Sequence, residues 1–480
     1  MTGVAVEGLL PVRAVGLSED EAATLGRLLE RWASKRQKNA LLGVYFDAHR
    51  PFRDLGISVP PQMASVRAAL GWPAKAVRAL VRKHQFEGFS LAGDLDPFDV
   101  GETLAENSFD VEFLQALSST YKHSFSLLTS TAGDSGEPDV VIQARDAEWS
   151  SALWDKRRRE VEAALTITDA DDYGVPTSAV LYLRGSTIRL ERSWGVWKVE
   201  RLPNPTGRTL VEVLPHDPQL SRPFGRSRIT REVRYLTDAA IRTLMRAETG
   251  AEFFASPQRH VLGAHEDAFK DETRWTAITG RVLALSANEE GDLPQVGQFQ
   301  QMSMEPHLSM YRQLAQNFCA ETSLPMSAVG LFTDSPASAE AMQAAEAQLA
   351  EDAEYQWRVF RPALLRLQQN VVMLRDGTDQ VPTDSWRANV NWTPARWVSP
   401  QAASDFVVKA VAAMPELAQT SVMMRRLGLS QGEIDEILTE LTRANASGIL
   451  DRVLAAAEPL APAAVADEPA AEVTDVVAAG

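Results

Sequence analysis

Little in this 480-residue chain offers reactive chemistry. It has one cysteine, Cys319, so neither an intrachain disulfide nor a multi-cysteine metal site can form. The seven histidines show no metal-ligand spacing. No phosphate-cradling GxxxxGK[ST] loop, no GxGxxG after a strand, no HExxH and no GxSxG occurs. No apolar run approaches the roughly eighteen residues that span a bilayer. The N-terminus lacks a basic segment followed by a long apolar one, so no secretory leader is expected. Positive charge is also short: 48 Lys and Arg stand against 64 Asp and Glu, a formal charge of −16. Tight wrapping of nucleic acid needs a cationic surplus, so a basic DNA-wrapping protein is excluded.

What remains is ordinary globular material, 45% apolar and 23% charged, long enough for two to four domains. Ser18 followed by Glu19, Asp20 and Glu21 predicts a capped helix over 18–43, with Leu25, Leu28, Leu29 and Trp32 on its apolar face. Further helices are expected at 62–84, broken near Gly71 and Pro73, and at 99–121. From 121 to 214 the period shortens to that of strands, with apolar runs at 124–129, 139–143, 162–167, 178–183, 187–191, 196–200 and 209–214. Arg184-Gly185-Ser186 and Ser193-Trp194-Gly195 are meander turns, and Trp194 and Trp197 are packing residues rather than a base-stacking platform.

The organising stretch is 222–254. After the turn signal Pro223-Phe224-Gly225 it runs about thirty residues without proline. Ile229, Val233, Leu236, Ala240, Leu244, Ala247, Ala251 and Phe254 make one narrow helical stripe. A helix of thirty residues would be roughly 45 Å long. The stretch carries Arg222, Arg226, Arg228, Arg231, Arg234, Arg242 and Arg246, which pattern alone assigns to a solvated face. Beyond it, 256–300 has the texture of a small α/β insertion, with strands at Val261-Leu262-Gly263 and Arg281–Leu285. A helix follows at 305–321, holding Cys319 as inert packing. Next come a turn-rich loop at 327–336 and a very long helix capped by Ser335 or Ser338, whose apolar stripe is Met342, Ala345, Leu349, Ala353, Trp357, Phe360, Leu364, Leu367, Val371 and Leu374. Pro362 interrupts its hydrogen bonding and predicts a kink. Val381–Trp397 is extended, and 400–452 holds short helices with a capping pattern at Ser430 and Glu433. The Ala, Pro and acid-rich end from Ala456 has a disordered composition.

The carboxylates are scattered. Asp169, Asp171 and Gly174 fit three positions of a calcium loop, but Tyr173 and Val180 stand where ligands belong, so a solvated turn is expected. No catalytic constellation or cofactor site emerges.

The segment PFGRSRITREVRYLTDAAIRTLMRAETGAEFFASPQRHVLG resembles the signature of Gp6-like portal proteins of tailed double-stranded-DNA phages. Gly280–Leu285 with Gly297-Gln298-Phe299 and Pro306-His307-Leu308, and Leu324-Pro325 through Ser335–Ala341, continue the resemblance in order and spacing. It covers most of residues 20–450. It implies an α+β portal fold with long stem helices, an α/β wing, a small α/β clip and a helical crown.

Carried onto this chain, 1–19 is a flexible N-terminus and 20–222 is wing, with a return at 376–397. Residues 223–255 and 303–325 are stem helices, and 256–302 is clip. Residues 326–337 are a tunnel loop, 338–375 a long kinked wing helix, 398–455 crown and 456–480 an acidic tail. The resemblance further implies a homo-oligomeric ring, typically of twelve subunits, at one capsid vertex of the virion. Double-stranded DNA would pass through it without sequence readout. The implied partners are the terminase large subunit, a head-tail connector or adaptor, and the major capsid and scaffolding proteins. No membrane, metal or cofactor is implied, and assembly would occur in the host cytoplasm.

Expected channel-facing residues are Val329, Gly330, Leu331, Phe332, Thr333, Asp334 and Ser335, with Arg226, Arg228 and Arg231 as further candidates. Salt bridges between subunits are the competing role for the arginines. Expected subunit contacts are Ile229, Val233, Leu236, Leu244 and Phe254. Net negative charge suits a conduit, because a channel gripping many phosphates would brake a sliding duplex. The alternatives are another virion or head-tail adaptor protein and a metal-dependent nuclease, for which the sequence offers no acid pair.

Overall fold

The computed structural model describes residues 16–49, 69–91, 96–193, 196–254, 259–262, 291, 295–298, 303–331, 339–396, 399–429 and 432–444. They form two compact units divided at Trp397.

The first unit begins with helix α1 (Glu19–Phe46). Its start follows from local chemistry: Ser18 Oγ accepts from the Glu21 amide, and the Glu21 carboxylate accepts from the Ser18 amide at 2.8 Å. Arg201 clasps the same carboxylate at 2.7 Å, and this bond, foremost among several, lowers the Glu21 pKa to about 2. Helix α2 (Trp72–Val81) opens with Pro73 in its first turn. Strand β1 (Phe86–Ser90) follows. The single helix expected over 99–121 is two, α3 (Gly101–Glu106) and α4 (Phe109–His123). The break lies at Ser108, with φ of +46°. Asn107 holds it there, donating to the carbonyls of Thr103 and Val140 and accepting from the Ile142 amide.

Two antiparallel sheets come next. Strand β2 (Phe125–Ala132) is central in a three-stranded sheet, between β3 (Val140–Asp146) and β9 (Val211–Pro215). The meander β4 (Ser150–Asp155), β5 (Glu160–Ala170), β6 (Pro176–Leu183), β7 (Ser186–Ser193) and β8 (Val196–Leu202) makes the second. The turn at Arg184-Gly185 uses a glycine at φ +71°. Strand β4 escapes a hydropathy reading because it opens on two buried serines. Ser151 donates to the Leu28 carbonyl, and Ser150 bonds Thr166 in the neighbouring strand. Leu25, Leu28, Leu29 and Trp32 of α1 pack on this sheet with Leu165, Leu181, Ile188 and Trp197, so Trp197 is a packing residue. The expected turn residues Trp194 and Gly195 lie outside the described residues.

Helix α5 (Arg231–Phe254) has 24 residues, about 36 Å. It starts nine residues later than Arg222, because 222–230 binds its backbone to other elements. Strands β10 (Arg259–Leu262) and β11 (Gln295–Gln298) pair antiparallel. The strand expected at Arg281–Leu285 lies outside the described residues. Helix α6 (Glu305–Thr322) packs along α5 and ends on Ser323 at φ +54°.

Helix α7 (Ala339–Arg375) is 37 residues long and continues on both sides of Pro362. Its expected caps, Ser335 and Ser338, lie outside the described residues. Leu349, Ala353, Phe360, Leu364, Leu367 and Val371 bury the expected stripe in the largest core, together with α2, α4, α5 and α6. Strand β12 (Asn389–Trp392), within the expected extended stretch, pairs with β1, and Trp392 stacks on Trp357 with centroids 5.4 Å apart.

The second unit contains α8 (Pro400–Ala413), capped by Ser399, then α9 (Ser421–Arg426) and a helix, α10, at 432–444. Met423, Met424, Ala403 and Ile434 are its buried apolar residues. Ser430, expected to cap the last helix, lies outside the described residues. Among the described residues, no helix is long and apolar enough to cross a membrane.

Candidate nucleic-acid and subunit-contact residues

Residues 222–230 form a clamp rather than the first turns of a helix. Arg222 and Gln219 exchange backbone hydrogen bonds. Gly225 turns at φ +67°, and a Cβ there would fall 1.9 Å from the His216 carbonyl oxygen, so only glycine fits. The Arg226 amide then donates to that same carbonyl at 2.9 Å. Phe224 is buried against Phe125 and Trp154, with the Arg31 guanidinium 4.9 Å above its ring. Arg226 pairs with Asp217 at 2.6 Å and remains largely exposed.

Arg228 is the centre of the clamp. Its backbone amide donates to the Tyr121 carbonyl, Nε donates to the Ala76 carbonyl at 3.0 Å, and a terminal nitrogen donates to the Thr322 carbonyl. Asp352 of α7 lies 3.6 Å away. One side chain thus ties together the middle of α2, the end of α6 and the middle of α7. Burial lowers its pKa and the Asp352 carboxylate opposes that shift, but a guanidinium stays charged. These donors have partners inside the subunit, so Arg228 is withdrawn from the channel candidates. The same reasoning applies to three expected contact residues. Ile229, Val233 and Leu236 are buried in the subunit's own core.

Histidines line this region as neutral groups. His84 is buried, and burial lowers its pKa to about 4. Its Nδ1 lies 2.8 Å from the Leu80 carbonyl and its Nε2 2.9 Å from the Tyr121 hydroxyl. Nδ1 therefore carries the proton and Nε2 accepts from the tyrosine. Burial and then Arg228 lower His216 to about 4 as well.

Other candidates occupy different surroundings. Arg231 is exposed and makes no ion pair among the described residues. Leu244 is half-buried, and Phe254 ends α5 with a side chain outside the described residues. In the loop, Val329 is buried in a 3-10 turn (Met326–Val329), Gly330 is exposed at φ +83°, and Leu331 is half-buried. Lys75 anchors that turn by donating to the Ala328 carbonyl at 2.8 Å. Phe332, Thr333, Asp334 and Ser335 lie outside the described residues. Cys319 is buried, and burial pushes its thiol pKa up.

The Asp169–Asp172 turn is held by Asp171, which accepts from the amides of Tyr173 and Val175. No group of three or more His, Cys, Asp or Glu able to hold a metal occurs among the described residues. Sequence reasoning missed the buried pair between Glu212 of β9 and Arg366 of α7, at 2.6 Å, to which Asn370 also donates. All five residues of β9 are buried, so a lone acid in Val-Glu-Val-Leu was the available signal.

The family model described as phage portal protein, SPP1 Gp6-like, matches residues 35–446. The chain belongs to this portal family. Portal proteins of this kind are structural, non-enzymatic components of the phage virion. The portal protein of Mycobacterium phage D29 is 31% identical over 364 residues, covering 72% of this chain and 73% of the relative. The portal protein of Mycobacterium phage L5 is 28% identical over 390 residues, covering 78% and 79%. Among solved structures, a chain from the neck of a native GTA particle, computed with C12 symmetry, aligns at a TM-score of 0.39 and 11% identity, covering 81% of this chain and 98% of that one.

Proposed function

We propose that this chain is the subunit of a ring, of about twelve copies, at one capsid vertex of a tailed-phage virion, and that double-stranded DNA enters and leaves through its axis. The observation that carries this reading is the family match across 35–446. The pairing of α5 with α6 around the segment that holds β10 and β11 supports it, as a helical hairpin with a small tip.

In this reading α5 and α6 are stem, 256–302 is clip, 326–337 is a tunnel loop and 398–455 is crown. Residues 20–222 with the 376–397 return, and the long helix at 338–375, are wing. Arg231 and the loop Gly330–Ser335 face the duplex, contacting phosphate or acting by sterics without base readout, while Val329, buried in the subunit's own core, anchors that loop. Leu244 and Phe254 contact the neighbouring subunit in a heterologous ring. The terminase large subunit and the head-tail connector dock at the clip. The major capsid and scaffolding proteins meet the wing, with assembly in the host cytoplasm.

Electron microscopy of the purified chain, assembled with its scaffolding protein, tests this first. Rings with an axial hole wider than a duplex are expected, whereas closed particles or filaments without a channel would overturn the reading. Deleting 328–334 is expected to leave rings intact and abolish packaging or retention of DNA. Lost assembly would remove the tunnel-loop assignment.

A further inference from the structure

The structure contains a cationic cleft that neither the portal reading nor the clamp at Arg228 uses. It lies between α1 and the Ser221–Arg226 segment and encloses about 440 Å³. Arg31, Lys35, Lys38, Arg222 and Arg226 line it, and no carboxylate does. Only Arg226 among these five has an ion pair among the described residues, with Asp217.

Three of the cations lie at steps of four and three along α1, on one face of the helix. Like charges so spaced repel and destabilise a helix. Burial lowers the Lys38 pKa, and the nearby charges of Lys35, Arg234 and Arg222 lower it further. Burial alone lowers that of Arg31. The cluster is thus assembled against its own repulsion on a chain whose overall charge is −16.

A second, independent feature lies in the wall of the same cleft. His123 is 4% exposed, and its Nδ1 has no hydrogen-bond partner among the described residues. Its Nε2 is 3.7 Å from Glu148, too far for a hydrogen bond. A buried polar atom without a partner is costly unless something else satisfies it.

We propose that this cleft binds a phosphate-class oxyanion, held by Lys35, Lys38 and the guanidinium groups of Arg31 and Arg222, with His123 Nδ1 as a buried donor. Guanidinium forks match oxyanion geometry, and ammonium groups add point charge. The phosphate is either free, as inorganic phosphate or pyrophosphate, or part of a DNA backbone.

The test uses full-length protein and sodium pyrophosphate, with ionic strength held constant by chloride. Thermal denaturation and calorimetric titration are compared for the native chain, a Lys35→Gln/Lys38→Gln double variant and a Lys35→Arg/Lys38→Arg double variant. Pyrophosphate is expected to raise the melting temperature of the native and Arg forms. It should bind the Gln form about tenfold more weakly or worse, as expected for lost charge-assisted bonds. Without anion, the Gln form should melt at or above the native temperature, since repulsion is relieved. Arg222→Gln reports independently from the opposite wall and should weaken binding in the same direction. Displacement of pyrophosphate by a short duplex identifies backbone phosphate as the source, and failure to displace it identifies the free anion. Equal responses from native and Gln forms, or no response from either, overturn the site. A Gln form with altered ring assembly and an unchanged pyrophosphate response also overturns it, since the cleft would then receive acids of a neighbouring copy.

Discussion

Arg228 and the Arg31, Lys35 and Lys38 face of α1 are both concentrations of positive charge, and their surroundings make them opposites. Arg228 is buried, donates to two backbone carbonyls and faces Asp352. The α1 cations stand at the mouth of a cleft without an ion pair among the described residues. An arginine count along the chain does not separate the two. What separates them is whether acceptors from other elements converge on the head group. Where they do, the charge is part of the fold; where they do not, it is available to something outside it.

The largest expected effect comes from removing the buried member. Arg228→Met keeps much of the volume but leaves the Ala76 and Thr322 carbonyls and the Asp352 carboxylate without their cation. Loss of one partner from a buried ionic network costs about 3–5 kcal/mol. The measurement is equilibrium denaturation of the purified chain. Arg228→Lys should recover only part of the loss, because one ammonium cannot present the guanidinium's planar fork to acceptors on three elements. A loss below about 1 kcal/mol for Arg228→Met, the scale of an exposed pair, would erase the contrast.

A somewhat smaller effect concerns pH at the same core. His84 is buried and its pKa is lowered from 6.5 to about 4. A group depressed in the folded state gives stability that is fully present above its unfolded pKa. That stability is lost as pH falls through the folded value, because the unfolded chain takes up the proton first. His84 should therefore contribute roughly 3 kcal/mol at neutral pH, lost between about pH 6.5 and 4. Denaturation curves across that window should steepen in their pH dependence with His84 present and flatten in His84→Gln. An unchanged slope in the variant would show that His84 is not held neutral by burial.

The sequence made the long-period features legible and hid the ones set by single contacts. Ser18 and the three acids after it gave the start of α1, and the stripe from Leu349 to Val371 gave the buried face of α7. The strands with apolar alternation were visible, while β4, whose two serines bond to Leu28 and Thr166, was not. The same limit applied at 222–230. Its arginines share the helical spacing of α5, yet the backbone turns at Gly225 and binds His216 and Tyr121, so the helix starts at Arg231. Ile229, Val233 and Leu236 made a legible stripe, but a stripe does not say whether a neighbouring subunit or the same chain covers it. Here the same chain does.

The smallest effect sharpens the comparison within the clamp itself. Arg226 lies two residues before Arg228 and makes a shorter ion pair, 2.6 Å to Asp217. Distance alone would rank it the stronger. Its side chain is 57% exposed, however, so water screens the pair and competes for both partners. Arg226→Ala should therefore cost less than about 1 kcal/mol. The backbone amide at 226, which donates to His216, is kept in that variant, so the turn at Gly225 survives. Denaturation of Arg226→Ala beside Arg228→Met measures the difference directly. A loss for Arg226→Ala as large as that for Arg228→Met would mean that convergence of acceptors from separate elements is not what makes an arginine structural here.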